Sequence, residues 1–211
     1  MLAIYKKEVK SYLTSMVGYV FMAFILLILG IYFTAYNLNY ATPDFGTTLS
    51  SVTFIFLIIT PVLTMRILAE EKKNKTDQLL FTSPVAVWKI VLGKYLGMIT
   101  IYVIPVIIAA CYPLIMGKYG TVSYPMAYTA VIGFFFLGCA NIAVGLFLSS
   151  VTESQVIAAV LTFGVLFCSY VMNGIESFFS QTAVSSMLAF VVIALVIAFI
   201  VYQMTRDAIL T

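Results

Sequence analysis

Seven of the chain's charged side chains fall in one stretch, Arg66 to Val85: Arg66, Glu70, Glu71, Lys72, Lys73, Lys75 and Asp77. Elsewhere the chain is strongly apolar, so this stretch is its largest polar handle for a soluble partner, and the chemistry it suggests is recognition. Catalysis finds little support. Histidine is absent, which removes the usual general base, the usual switch near neutral pH and the commonest metal ligand. Serines and threonines are plentiful, but nothing in the apolar runs would activate them as nucleophiles. Cys111, Cys139 and Cys168 are odd in number and have no paired spacing, so they read as packing residues. No glycine-rich loop ending in Lys-Ser/Thr is present, so the chain does not bind ATP by that route.

The elements that must hold this polar stretch are membrane helices. Over 211 residues 63% are hydrophobic and 9% charged, with a mean hydropathy of +1.11; soluble domains carry about 25% charged residues. Charges divide the chain into uncharged intervals 11–43, 45–65, 95–117, 119–152, 154–175 and 177–205. Each has room for one crossing of roughly 20 residues. The expected fold is therefore all-α and polytopic, with six transmembrane helices in a single domain over residues 1–211. With the N-terminus inside, the inner segments collect Lys6, Lys7, Lys10, Arg66, Lys72, Lys73, Lys75, Lys89, Lys94 and Arg206, and the outer loops keep only Lys118. That asymmetry predicts cytoplasmic termini on both sides of the chain. The net charge of +3 is then a topology signal and no sign of nucleic-acid binding.

Residues 1–16 space Leu2, Tyr5, Val9, Tyr12 and Met16 by threes and fours, with Lys6, Lys7 and Lys10 off that stripe. This predicts an N-terminal amphipathic helix in the inner interface, its lysines toward anionic lipid head groups. The run after it is too long for a signal peptide and lacks a small-residue cleavage site. Spans are expected near Val17–Leu38, Leu49–Leu68, Ile90–Met116, Tyr124–Leu148, from the 152–155 turn to Met172, and Val184–Gln203. Pro43 and Gly46 read as turn residues of the first outer loop. Pro61, Pro105 and Pro113 read as hinges or static kinks. Lys89 and Lys94 read as snorkelling to water. Gly133, Gly138, Ala140, Ala143 and Gly145 read as a close-packing face. Thr152 with Gln155 fits a capping box opening the fifth span. Phe178 and Phe179 suggest a segment dipping into the outer interface.

Within the polar stretch, Glu70 pairs in helical register with Lys73, and Glu71 with Lys75, extending span 2 as a helix. Leu79, Leu80 and Phe81 follow the polar Thr76, Asp77 and Gln78. Ser83 suits an N-cap and Pro84 a first helical residue for the next helix. A turn of exposed leucines beside the membrane either lies in the interface or docks into a partner's groove, and physics alone leaves both open.

The segment AEEKKNKTDQLLFTSPVAVWKIVLGKYLG resembles the first cytoplasmic loop of bacterial ABC type-2 transporter permeases, in the branch that includes the gliding-motility permease. Glu70-Glu71, Thr76, Leu79-Leu80, Thr82-Ser83-Pro84-Val85 and Gly93-Lys94 fit the family pattern; Lys75 replaces its usual glycine and Gln78 its usual glutamate. GLFLSSVTESQVIAAVLTFG resembles the family's Ser-Ser-x-Thr-x-x-Gln turn, here Ser149, Ser150, Thr152 and Gln155. The opening YKKEVKSYLTSMVGYVF is similar to its elbow helix. The resemblance implies a permease subunit in a bacterial cell membrane that recruits a separate cytoplasmic ATPase. ATP and Mg would be bound in that partner, and a second permease copy or paralogue would complete the unit. It implies a coupling loop over 69–84 with Glu71, Thr76, Asp77, Gln78, Leu79, Leu80, Phe81 and Pro84 at the ATPase, and Ser150, Thr152 and Gln155 in a second cytoplasmic turn. Members of this branch run longer and end in a basic tail, whereas this chain ends at RDAILT, so a fragment or a short member is expected.

Two other functions fit the same composition. A secondary transporter working without an ATPase would place acidic or histidine side chains inside its spans, and here no Asp or Glu falls within an expected span. A membrane anchor that holds an ATPase without transporting would carry the same loop.

Overall fold

Long uncharged runs leave the backbone in a bilayer only one local solution, the helix, because it satisfies every interior N–H and C=O within the segment. A computed structural model describes residues 2–40, 42–65, 67, 69, 86–118 and 121–176, and every regular element among them is helical. In order they are α1 (Leu2–Thr14), α2 (Met16–Tyr32) running into a π-helical stretch (Phe33–Asn39), α3 (Phe45–Val52), a 3-10 turn (Thr53–Ile55), α4 (Phe56–Thr64), α5 (Val87–Ala110), α6 (Tyr112–Met116), α7 (Tyr124–Val151) and α8 (Gln155–Glu176). Five stretches are long and apolar enough to cross a membrane: Met16–Asn39, Phe45–Thr64, Val87–Met116, Tyr124–Val151 and Gln155–Met172. They are spans 1 to 5 below. The expected sixth span and the Phe178–Phe179 segment lie outside the described residues. Two compact units divide the chain, Met1–Phe167 and Cys168–Thr211, and the described part of the second is the last turns of α8.

Several boundaries differ from the sequence expectation for identifiable reasons. Span 2 begins at Phe45, because Asp44 caps it by accepting a 2.9 Å hydrogen bond from the Gly46 N–H; Gly46 is thus in the first helical turn rather than in a loop turn. Its helix ends at Thr64, short of Leu68. Ser15, in extended conformation, separates α1 from α2 and caps the latter. Span 3 breaks at Cys111 and restarts as α6, since Pro113 has no N–H to continue the ladder, whereas Pro61 and Pro105 stay inside their helices. Beside Pro61, the buried Thr60 Oγ1 has no hydrogen-bond partner among the described residues. α5 starts at Val87 with Ala86 extended at its N-cap, three residues after the expected start at Pro84. Of the cysteines only Cys139 is buried; Cys111 and Cys168 are exposed.

Spans 1 to 4 share one core. Phe21, Ile25 and Leu29 of α2 meet Ile55, Phe56, Ile59 and Leu63 of span 2, with Met98, Ile101 and Tyr102 of α5 and Phe134 and Ile142 of α7. Lipid tails are as apolar as these side chains, so cohesion comes from close van der Waals fit and internal hydrogen bonds. Tyr102 is the centre of that fit. Its hydroxyl donates to the Phe134 carbonyl at 2.8 Å, its ring stacks on Phe135 at 5.9 Å, and it meets Phe56 edge-on at 5.8 Å.

The small residues of α7 do not form one face. Gly138 lies against the Tyr102 ring and Gly145 against Thr64, while Gly133, Ala140 and Ala143 are exposed in the described chain. A Cβ at Gly138 would run into the Tyr102 ring, whereas one at Gly133 would meet nothing within 4 Å. Gly138→Ala should therefore destabilise the purified protein by about 1–3 kcal/mol through overpacking. Gly133→Ala should be neutral or slightly stabilising, and thermal unfolding of the two variants in detergent separates these outcomes.

Candidate functional site

Span 2's helix ends at Thr64, at the root of the polar stretch, and the last carbonyls of a helix call for partners outside its own ladder. Side chains from three other helices supply the missing donors. Tyr12 of α1 donates its hydroxyl to the Leu63 carbonyl at 2.9 Å. Ser149 of α7 donates to the Met65 carbonyl at 3.5 Å and accepts from the Ala69 N–H at 3.3 Å. Lys94 of α5 donates to the Ile67 carbonyl at 3.4 Å. A cation beside the last carbonyls of a helix also answers its negative end.

Lys94 is only 1% exposed, and its Nζ stands 3.3 Å from Oε1 of Glu8, itself buried on α1. The expectation that Lys94 snorkels to water is corrected here: its ammonium turns inward to a carboxylate. Lys89, one and a half turns earlier, is exposed and lies over the neighbouring Trp88 ring at 5.5 Å. The apolar stripe expected along α1 is only in part its buried face. Tyr5, Glu8 and Tyr12 face the bundle, with the Tyr5 hydroxyl 3.0 Å from Thr100 Oγ1, while Leu2 and Met16 point outward. The helix can lie this close because α5 carries Gly97 opposite Glu8; a Cβ there would come within 2.9 Å of the Glu8 Cβ.

Of the residues singled out from the sequence, Glu71, Thr76, Asp77, Gln78, Leu79, Leu80, Phe81 and Pro84 lie outside the described residues, as do the Glu70–Lys73 and Glu71–Lys75 pairs. The second turn is described. Ser150 donates to the Phe147 carbonyl at 2.6 Å, and Gln155 opens α8. Thr152 terminates α7 and donates to the Ser154 carbonyl at 3.1 Å, so the anticipated Thr152–Gln155 capping box does not form. Ser149, just before this turn, ties the end of α7 to Met65 and Ala69 at the root of the polar stretch. Sequence reasoning passed over Glu8 altogether and did not bring Tyr12, Lys94 and Ser149, each noted for another reason, together as a junction. Their signal was faint, namely one acidic residue in an otherwise basic amphipathic helix and a lysine a full turn inside a span.

Apolar spans packed through a shared core, with polar ties gathered at one end, define a multi-pass helical membrane protein. The chain belongs to the ABC-2 transporter family: the family described as "ABC-2 family transporter protein" matches residues 31–206, most of its length. It is a membrane permease component of an ABC transporter. No curated protein and no solved structure matches it.

Removing one partner of a buried ion pair strands the other charge, at a cost of about 3–5 kcal/mol. Lys94→Ala should therefore lose stability of that order, whereas Lys89→Ala, at an exposed site, should stay within about 0.5 kcal/mol of the parent. Denaturation of the two variants side by side checks the contrast.

Proposed function

We propose that this chain is the membrane half of an ATP-driven exporter in a bacterial cell membrane, in the gliding-motility-permease-like branch of its family. A separate cytoplasmic ATPase, carrying ATP and Mg, is its partner, and a second permease copy or paralogue completes the working unit. The ATPase grips Thr76 to Phe81, with Leu79, Leu80 and Phe81 in its groove and Glu71, Asp77 and Gln78 at the rim. Pro84 marks the return toward span 3. The turn at Ser150, Thr152 and Gln155 lies on the same side and offers a second contact.

The observation that carries this reading is the braced root of the 69–84 stretch: span 2 exits between α1, α5 and α7, each of which donates to it, in a chain of the ABC-2 family. Force delivered to a loop does work only if the loop's root is tied to the elements that must move. Orientation is supported by charge. α1, carrying Lys6, Lys7 and Lys10, and the start of α5, carrying Lys89, stand at the loop end, which the positive-inside rule assigns to the cytoplasm together with both termini. The lysines of α1 are exposed and suit anionic lipid head groups, which makes this helix an interfacial elbow.

Replacing Leu79 and Leu80 together with aspartate should abolish capture of the ATPase by the tagged permease and leave its amount in the membrane fraction unchanged. Capture that survives the double replacement would remove the loop from the interface.

A further inference from the structure

The buried pair of Glu8 and Lys94 has no place in a scheme that needs only a docking loop and a set of spans. Both side chains are largely withdrawn from water, Glu8 at 11% and Lys94 at 1% exposure, in a region where apolar residues of similar volume would pack without the cost of desolvating two ions. Such a pair contributes direction and register more than stability: it holds its two helices in one relative position and, through the Ile67 carbonyl, holds the end of span 2 to both. Gly97 permits the close approach, and the Tyr5–Thr100 bond is a second tie of α1 to α5, so sliding or rolling of α1 on α5 would break both, while the Tyr12–Leu63 bond holds α1 to span 2.

We propose that Glu8 and Lys94 are positioning residues of the transport cycle, a clutch that makes α1, the start of α5 and the exit of span 2 move as one body when the ATPase pushes on the loop. This rests on the functional reading above. Motion entering at residues 69–84 is then delivered to α1 and, across Ser15, to span 1. Pro61, inside the helix of span 2, removes one backbone hydrogen bond and gives the span a place to bend while its end stays clamped.

The full-length permease is co-purified with its ATPase and placed in nanodiscs, with exposed Cys111 and Cys168 replaced by alanine. Spin labels go on exposed positions as the pairs Lys7→Cys with Phe136→Cys and Lys7→Cys with Val91→Cys. Trapping with Mg-ATP and vanadate should shift the Lys7–Phe136 separation and leave the Lys7–Val91 separation unchanged. The double variant Glu8→Leu/Lys94→Met strands no buried charge and should accumulate and still capture the ATPase, which a purely structural role equally requires. It should nevertheless lose the Lys7–Phe136 shift, and its ATP hydrolysis should fall to that of the ATPase alone. A double variant that captures the ATPase and shifts like the parent overturns the clutch but not the functional reading. Should that variant fail to accumulate, the parent decides: a nucleotide-dependent change in the Lys7–Val91 separation overturns the proposal. A parent chain that captures no ATPase overturns the functional reading and the clutch with it.

Discussion

An ammonium group taken out of water must be answered inside the protein, and that requirement at Lys94 governs the loop end of this bundle. The desolvation penalty amounts to several kcal/mol per ion even after relaxation. It is offset here by a carboxylate from α1 and a carbonyl from the end of span 2. Meeting it determines the rotation of α1, since Glu8 must face inward, and it ties the Ile67 carbonyl, just past the helix of span 2, to α5. Exposed lysines on the same helices answer to water and lipid and impose no comparable geometry.

Away from that end, shape takes over from charge. In the middle of the bundle the fit of Tyr102 against Gly138, Phe135 and Phe56 holds α5, α7 and span 2 together with one interhelical hydrogen bond. At the opposite end, buried Asn37 closes the connection between spans 1 and 2. It donates to the Thr42 carbonyl at 2.9 Å and accepts from the Thr48 hydroxyl at 2.6 Å, within a π-helical widening that lets its amide turn toward the loop. Polar ties thus gather at the two ends, while between them packing does most of the holding and the Tyr102–Phe134 bond fixes α5 against α7.

Much of the spanning architecture was legible in the chain because a bilayer punishes unpaired charge so severely. The gaps between Lys10, Asp44, Arg66, Lys94, Lys118, Glu153 and Glu176 outline the spans, and Asp44 proves to be a helix cap. The family resemblance was legible in the loop and in the Ser149–Gln155 turn, since those stretches carry residue types that a span does not need. The junction between them was not. Glu8 drew no reading of its own and Lys94 read as a snorkelling side chain, because each judged alone has water as its cheapest partner.

The amino-acid sequence by itself determined that the chain is helical, crosses the membrane several times and gathers its polar residues at particular crossings, because hydropathy and charge are properties of short runs. Which face of α1 turns inward, which glycines of α7 accept a neighbour and which lysine is buried were decided only by the tertiary structure. Burial of a charge is a transaction between residues 86 positions apart, and no local pattern records that the partner will arrive.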